Sequence, residues 1–103
     1  MSVRDDIDRR LLAIPGVRRR RSRWGVEPAY YLGEREVAHF HRDGRLDVRL
    51  TKELLREMRS SGGPDPRVRV RGPSADWAAV TASDPSDIAL IVELVEDAVR
   101  ANE

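Results

Sequence analysis

The sequence predicts an α+β fold, in which an antiparallel β-sheet carries helices packed largely on one face. Three observations predict it. Helical apolar stripes stand near both ends of the chain, and short segments between them alternate apolar and polar residues as half-buried strands do. An Arg42-Asp43-Gly44 turn joins two of those segments into a hairpin. The predicted order of elements is α-β-β-β-β-α-β-β-α, with helices at the N-terminal and C-terminal ends.

The first three elements are a helix and two short strands. Ser2 can cap the helix together with Asp5, and Pro15-Gly16 ends it. The segment Val17 to Arg23 is predicted as a strand with arginines on both faces, which is typical of a sheet edge. A turn then leads into a strand from Ala29 to Leu32. The apolar stripe of the helix consists of Val3, Ile7, Leu11 and Ile14.

The two strands of the hairpin, Val37–His41 and Leu46–Leu50, can pair in two registers. A two-residue loop pairs His39 with Val48 and turns both histidines toward the apolar face. A three-residue loop with a left-handed glycine shifts the pairing by one residue, so that His39 faces Asp47 instead.

We predict the second register. A slip of one residue moves a whole set of side chains across the sheet, and only this register pairs apolar Phe40 with apolar Leu46. It buries Phe40, Leu46 and Val48, and it places His39 beside Asp47 on the opposite face.

The C-terminal half contains a short helix, two strands and a long final helix. Thr51 caps the short helix, which ends near Gly62. The segment Arg67 to Arg71 alternates strictly, as a half-buried strand does, and Trp77 to Thr81 follows it. Asp84 caps the last helix, which is expected to lie across the sheet and to form most of the core together with the hairpin. Its apolar residues are Ile88, Leu90, Ile91, Val92, Leu94, Val95 and Val99.

Short motifs spread from Pro15 to about Val99 carry a family resemblance. They are Pro15-Gly16-Val17, Ser22-Arg23-Trp24-Gly25, Ala29-Tyr30, Glu36-Val37-Ala38-His39-Phe40-His41, Leu46-Asp47-Val48-Arg49-Leu50-Thr51, Asp76-Trp77 and Ser83-Asp84-Pro85-Ser86-Asp87. In these motifs the chain resembles the small bacterial luciferase-family, or luciferase-domain, proteins, whose activity is not established. The family name implies a light-emitting oxidation, which the resemblance assigns to no residue here. In element order alone, the chain also resembles CyaY-like and YjbR-like proteins, some of which are catalogued as DNA-binding.

Length and composition limit the class of protein. A chain of 103 residues with 40% hydrophobic content is expected to form a single domain, residues 1–103, with one modest core. The flavin-dependent luciferases resemble TIM barrels of about 250 residues, which this chain is too short to build. It has no cysteine, which excludes a disulfide framework and a thiolate ligand or nucleophile.

The N-terminus lacks the apolar core of a signal peptide, and no apolar run reaches the roughly 18 residues of a membrane span. We therefore expect a soluble, cytoplasmic protein.

Charge is segregated along the chain. Residues 15–71 carry a net charge of +7 and residues 72–103 a net charge of −6, within an overall charge of +1. Eighteen of the nineteen basic residues are arginine, the better bidentate partner for phosphate and carboxylate, although a GC-rich genome produces the same bias. The acidic C-terminal helix could meet the basic region of a second copy, which favours a homodimer.

A basic run in the first strand is the candidate nucleic-acid surface. It combines cations with a ring that can stack on bases, as nucleic-acid binders do. No RNP, helix-turn-helix or finger motif accompanies it, and the acidic helix offers its arginines an internal partner. We expect weak, non-specific nucleic-acid binding at most. The residues are Arg18, Arg19, Arg20, Arg21, Arg23 and Trp24, with Arg67 to Arg71 as a second basic strand.

The candidate binding site is the sheet face that carries the two histidines. In the predicted register Asp47 and Arg49 share this face, and one of the two neighbouring tyrosines rims it with its ring exposed while the other points inward. Two imidazoles and a carboxylate could also hold a metal ion, but no HExxH motif or cysteine pair accompanies them, and an ordinary solvated pair is the plain alternative. Trp77 and Trp24 are expected in the core. The candidate binding residues are His39, His41, Asp47, Arg49, Tyr30 and Tyr31.

Three functions remain open at this point. The favoured one is a non-catalytic binding or interaction module that uses this face for an unidentified protein or small-molecule partner, without a cofactor and without a membrane. The second is a nucleic-acid-binding module that uses the basic strands. The third is a small metal-dependent or catalytic site at His39, His41 and Asp47.

Overall fold

The computed structural model describes residues 2–21, 28–70 and 75–103. In these residues three α-helices and six strands follow one another in the predicted order. The helices are α1 (Val3–Leu12), α2 (Lys52–Ser60) and α3 (Ile88–Ala101), with a short 3₁₀ turn (Pro85–Asp87) directly before α3. The strands are β1 (Val17–Arg21), β2 (Pro28–Leu32), β3 (Arg35–Phe40), β4 (Arg45–Arg49), β5 (Val68–Val70) and β6 (Trp77–Thr81).

The six strands form one antiparallel sheet in the order β1-β2-β3-β4-β6-β5. After β4 the chain passes through α2 to the far edge, and it then returns to place β6 directly beside β4. β1 is the other edge strand, and Arg18 to Arg21 are exposed on it. The edge position that the arginines on both faces predicted is therefore confirmed.

Two of the three predicted helix caps are made, and the third, Asp84, caps the 3₁₀ turn before α3 instead of α3 itself. The Ser2 hydroxyl accepts a hydrogen bond from the backbone N–H of Asp5, 3.0 Å away, and the Thr51 hydroxyl accepts one from Leu54. Asp84 accepts from the N–H of Ser86 at 2.8 Å. This cap begins the 3₁₀ turn, so α3 itself starts four residues later than Asp84. Each such cap satisfies a backbone N–H that has no partner within the helix.

The core lies between the sheet and the helices. α1 packs against α3 and β1, and α3 crosses β3 and β4. The predicted apolar faces of both helices are buried, with Ile7, Leu11, Ile91 and Val95 fully inaccessible to solvent. Burial of each such side chain contributes about 1.5–3 kcal/mol to stability. Across the described residues, none of the helices has the length and apolarity needed to cross a bilayer.

The hairpin adopts the predicted register. Phe40 pairs with Leu46 and His39 with Asp47, and Phe40, Leu46 and Val48 are each no more than 3% exposed. The turn places its glycine in the left-handed region, with φ of +86°. The apolar side chains of the hairpin therefore lie on the helix-covered face, and the polar ones lie on the other, which we call the open face.

Candidate functional site

One row of side chains crosses the open face through all six strands. Directly paired residues of antiparallel strands project from the same face, so the register of each pair extends the row. In the centre His39 faces Asp47, and a small alanine flanks this pair on each side. Arginines end the row at both edges. From β1 to β5 the row, here called the central row, is Arg20, Ala29, His39, Asp47, Ala79 and Arg69.

A β-bulge in β3 adds a second carboxylate to the central pair. Tyr30 pairs with Ala38 but Tyr31 pairs with Glu36, so Val37 is an extra residue on β3. Residues three apart on a regular strand face opposite sides of the sheet. Because of the bulge, Glu36 shares the open face with His39, and its Oε1 atom lies 2.7 Å from Nδ1 of that histidine.

Four side chains form a histidine–carboxylate cluster, which consists of Glu36, His39, His41 and Asp47. Oδ2 of Asp47 lies 2.6 Å from Nε2 of His41 and 3.3 Å from Nε2 of His39, so one oxygen faces both imidazoles. On the other side of the His39 ring, Nδ1 and Oε1 of Glu36 are close enough for an ion pair, but their geometry is not that of a hydrogen bond. The Tyr31 hydroxyl donates to the other Glu36 oxygen at 3.2 Å.

The electrostatics of the cluster favour a charged pair. Burial alone would lower the pKa of His39, but its hydrogen bond with Asp47 and the charges of Glu36 and Asp47 outweigh burial and raise that pKa above its usual range. Burial alone would raise the pKa of Asp47, but hydrogen bonds with His39 and His41 lower it to about 2. The cluster therefore holds Asp47 ionised and favours the protonated imidazole of His39.

A pocket of about 820 Å³ lies over the cluster on the open face. Its floor includes His39, Asp47 and the small side chain of Ala79. Trp77 forms part of the wall, with its ring centroid 5.0 Å from that of His39. The remaining lining includes Tyr31, Glu34, Arg35, Glu36, Arg45, Arg49, Arg69 and Asp76.

The acidic groups of the pocket are engaged, whereas several of its arginines are not. Beyond the cluster, Glu34 lies 3.6 Å from the guanidinium of Arg20, and Asp76 accepts a hydrogen bond from the first residue of α2. The guanidinium of Arg49 lies 4.8 Å from the centroid of the Trp77 ring, and its buried Nε has no hydrogen-bond partner in the described part of the chain. Three arginines of the pocket form no ion pair with any described residue, and these are Arg35, Arg49 and Arg69.

The structure brings together most of the residues that the sequence indicated. His39, His41, Asp47, Arg49 and Tyr31 share the open face, whereas Tyr30 does not. Tyr30 points into the core, where its hydroxyl donates to Asp8 at 2.7 Å, because neighbouring residues of a strand face opposite sides. The expectation that one tyrosine ring stays exposed was wrong, since Tyr31 is only 6% exposed under the guanidinium of Arg20.

Sequence reasoning missed two residues of this site. Glu36 was missed because its place on the open face depends on the bulge, for which the sequence carries no clear signal. Trp77 was expected in the core, and this was wrong. The sequence pattern of Trp77 to Thr81 could have predicted the observed position, because a strand that buries Ala78 and Val80 turns Trp77 and Ala79 to the opposite face.

The arginines of the basic strands do not form one free basic surface, because some of them form ion pairs within the chain and those of β1 project from both faces of the sheet. Arg19 binds Asp8 of α1 at 2.6 Å, and Arg67 binds Asp65 and Asp87, each at 3.0 Å. Arg18 and Arg20 pair with residues of the open face, so β1 does not present its four arginines on one surface. Arg23, Trp24 and Arg71 lie outside the described residues. Nucleic-acid binding therefore stays a prediction.

The comparisons with known proteins identify a family. A family model described as a luciferase domain matches residues 34–98, which is more than half of the chain. Neither the curated proteins nor the solved structures include a match. The match confirms the expected resemblance to the luciferase-family proteins, whereas the looser resemblance to CyaY-like and YjbR-like proteins stays a prediction. The matched range contains the whole histidine–carboxylate cluster together with Arg49 and Trp77. The chain belongs to the luciferase-domain family.

Proposed function

We propose that this protein is a small-molecule-binding module and that its pocket on the open face takes a small organic anion. The observation that carries the proposal is the coincidence of one pocket, unpaired arginines and a cluster of titratable groups. The volume of about 820 Å³ lies within the range of roughly 300–1,000 Å³ that is usual for ligand sites. A concave site of this kind fits a small molecule better than it fits the flat face of a protein partner.

Charge favours an anionic ligand. Outside the histidine–carboxylate cluster, the acidic side chains of the pocket, Glu34 and Asp76, already have partners in the chain. Arg49 and Arg69 line the pocket and form no ion pair with the described residues. A guanidinium binds a carboxylate through two parallel hydrogen bonds, and this geometry selects planar anionic groups.

The wall and floor favour a ligand with a flat apolar body. Trp77 stands beside the pocket, and Ala79 leaves the space next to Asp47 unfilled. A planar ring can therefore lie over Ala79 along the Trp77 side while its carboxylate reaches Arg49. In this proposal the protein binds the ligand without transforming it.

A binding screen with matched ligands tests the proposal. Small aromatic carboxylates and their neutral amides would be added to chelator-treated protein and followed by ¹H–¹⁵N NMR. We expect the carboxylates to shift the amides of β4 and β6 and the indole N–H of Trp77, and the amides to bind at least tenfold more weakly. Equal binding of acid and amide, or shifts away from the open face, would contradict an anion pocket.

A matched pair of variants separates pocket filling from damage to the sheet. Ala79→Leu fills the floor of the pocket and should abolish carboxylate binding. Thr81→Leu makes a similar change two residues along the same strand, at an exposed position outside the pocket lining, and should leave binding unchanged. If both variants bind like the wild type, the ligand does not occupy this pocket.

A further inference from the structure

We infer that His39, His41 and Asp47 form a binding site for one divalent first-row transition metal ion. One ligand atom of each residue can be chosen so that all three lie within 4.8 Å of one another. The site lies in the floor of the proposed ligand pocket, but it needs no organic ligand and is argued from the cluster alone.

The donor atoms already converge to nearly the spacing that a metal ion requires. Oδ2 of Asp47 lies 2.6 Å from Nε2 of His41 and 3.3 Å from Nε2 of His39. Protein ligands about 2.0–2.2 Å from a zinc-like ion lie roughly 3 Å from one another. Both Asp47 contacts are thus close to that spacing, and since all three ligand atoms can be chosen within 4.8 Å of one another, small side-chain rotations would bring them around one ion.

The hairpin holds the three ligands on a rigid scaffold. Asp47 is directly paired with His39 across β3 and β4, and the backbone N–H of His41 donates to the carbonyl of Arg45 at 2.8 Å. The two imidazole centroids are 5.1 Å apart. Ligands that are fixed by strand pairing lose little conformational entropy when the ion binds, which favours affinity.

A supporting contact of the kind found at metal sites is already present behind His39. A metal-binding histidine usually donates its other ring N–H to a carboxylate or carbonyl, which fixes the tautomer and orients the ring. Here Oε1 of Glu36 lies 2.7 Å from Nδ1 of His39, and both atoms are buried. Tyr31 holds the second Glu36 oxygen. This arrangement keeps Nδ1 for the carboxylate, and the ion takes Nε2 by displacing the proton that this nitrogen carries in the metal-free cluster, which is released to solvent.

The donor set indicates the class of metal. Two imidazole nitrogens and one carboxylate oxygen suit zinc, iron(II), cobalt(II) or manganese(II), whereas calcium and magnesium prefer all-oxygen sites. Three protein ligands leave further coordination positions, which water or an anion bound in the adjoining pocket can fill. Asp47 and Glu36 together supply the negative charge that balances a divalent ion.

The experiment uses the full chain and the metal alone. Chelator-treated protein would be titrated with Zn²⁺ by calorimetry and with Co²⁺ by visible spectroscopy, in buffer that contains no organic anion. We expect one ion per chain. Because the chain has only two histidines, long-range ¹H–¹⁵N NMR can follow both rings. Zn²⁺ should move both Nε2 resonances to the position of a metal-bound nitrogen and leave each Nδ1 at the position of a protonated nitrogen, and a shift of one ring or of neither would overturn the site.

Variants test the individual roles. Asp47→Asn should weaken Zn²⁺ binding at least a hundredfold, and Glu36→Gln should weaken it by about 10–100-fold, as expected for a carboxylate behind a ligand. Asp43→Asn makes the same change in the turn of the same hairpin and should leave the affinity within a factor of about two. Unchanged affinity in Asp47→Asn, or several ions of equal affinity, would refute the inference.

Two further measurements, a folding control and a separate assay of anion binding, make the outcome decisive. If circular dichroism shows that Asp47→Asn does not fold, the NMR result on the wild type and the Glu36→Gln titration decide the question. Organic-anion binding is measured separately in metal-free protein, so the loss of one activity does not remove the other. Metal binding without carboxylate binding would retain this site and reject the proposed ligand.

Discussion

Glu36 and His39 are three residues apart on β3 and yet face the same side of the sheet. The bulge at Val37 makes this possible. Because Val37 is an extra residue on β3, Glu36 and His39 are oriented like residues two apart on a regular strand, which share a face. Its consequence is chemical as well as geometric. A carboxylate lies behind each of the two ring nitrogens of His39, Glu36 at Nδ1 and Asp47 at Nε2. An imidazole held in this way is oriented from both ends.

The two neighbouring tyrosines provide a matched test of this arrangement. Tyr31→Phe removes the hydroxyl that binds Glu36, and Tyr30→Phe removes the one that binds Asp8 on the other face. Each substitution should lower the free energy of unfolding by about 0.5–1.5 kcal/mol, the usual net value of one hydrogen bond. Only Tyr31→Phe should change the ¹⁵N shifts of His39. If Tyr30→Phe changes them equally, the two faces are coupled and the assignment of roles is wrong.

Stability should depend on pH in a window set by the cluster. The pKa of His39 is raised above 6.5, so its contribution is full below about pH 6.5 and is lost as the pH rises through the folded-state pKa. The pKa of Asp47 is lowered from 3.8 to about 2, so its contribution is present above about pH 4 and is lost as the pH falls toward 2. The two contributions overlap between about pH 4 and 6.5.

Urea unfolding of metal-free protein from pH 3 to pH 9 measures this window. The difference in free energy of unfolding between the wild type and Asp47→Asn should be largest between about pH 4 and 6.5 and should shrink on both sides. Asp43→Asn, in the turn of the hairpin, serves as the control and should give no maximum there. A difference that is flat with pH, or that grows above pH 8, would show that the cluster does not titrate as a pair.

The turn glycine of the hairpin should be sensitive to substitution through its backbone. Gly44 has φ of +86°, yet a Cβ atom there would meet nothing within 4 Å. Gly44→Ala should therefore cost about 1–2 kcal/mol from backbone strain alone, and Gly44→Asn should cost less because asparagine tolerates this region better. Thermal unfolding of the two variants checks the order. Equal losses would indicate that the strain is relieved by a change of register, which NMR contacts between His39 and Asp47 would reveal.

The hairpin and the element order could be predicted because local rules and the apolar pattern agree. Only one register sorts Phe40 with Leu46, and the burial gained on one face is large enough to decide between registers that differ by one residue. The helix caps at Ser2, Thr51 and Asp84 follow from side chains that are close in sequence to the N–H groups they satisfy. Features of this kind need no knowledge of distant contacts.

The site was only half predictable, because its remaining parts depend on long-range geometry. The bulge that brings Glu36 to the open face follows from the pairing of β2 with β3, and no residue type announces it. The positions of Trp77 and Arg69 on the same face as Asp47 depend on β6 inserting between β4 and β5, which the order of elements alone does not specify. A pattern of alternation shows which way a side chain points, but it does not show what lies opposite.

The last prediction concerns the arginines of β1 as a nucleic-acid surface. Alternation divides them, since Arg18 and Arg20 belong to the open face while Arg19 binds Asp8 beside α1. Exposed ion pairs of this kind contribute little to stability, but they reduce the positive charge offered to phosphate. We therefore expect binding to duplex or single-stranded nucleic acid no tighter than roughly 10⁻⁵ M at physiological salt, which lies in the non-specific range.

A salt series with two double variants tests this expectation. Each phosphate that is neutralised steepens the dependence of affinity on salt by about 0.9, so two arginines of one face can contribute a slope of at most about 2. Replacing Arg18 and Arg20 by serine removes the open-face pair, and replacing Arg19 and Arg21 removes the pair on the other side. Weak binding that each double variant reduces only slightly would agree with a divided strand. A dissociation constant below about a micromolar that both double variants abolish would instead identify β1 as a nucleic-acid surface, because both faces would then have to engage the same ligand.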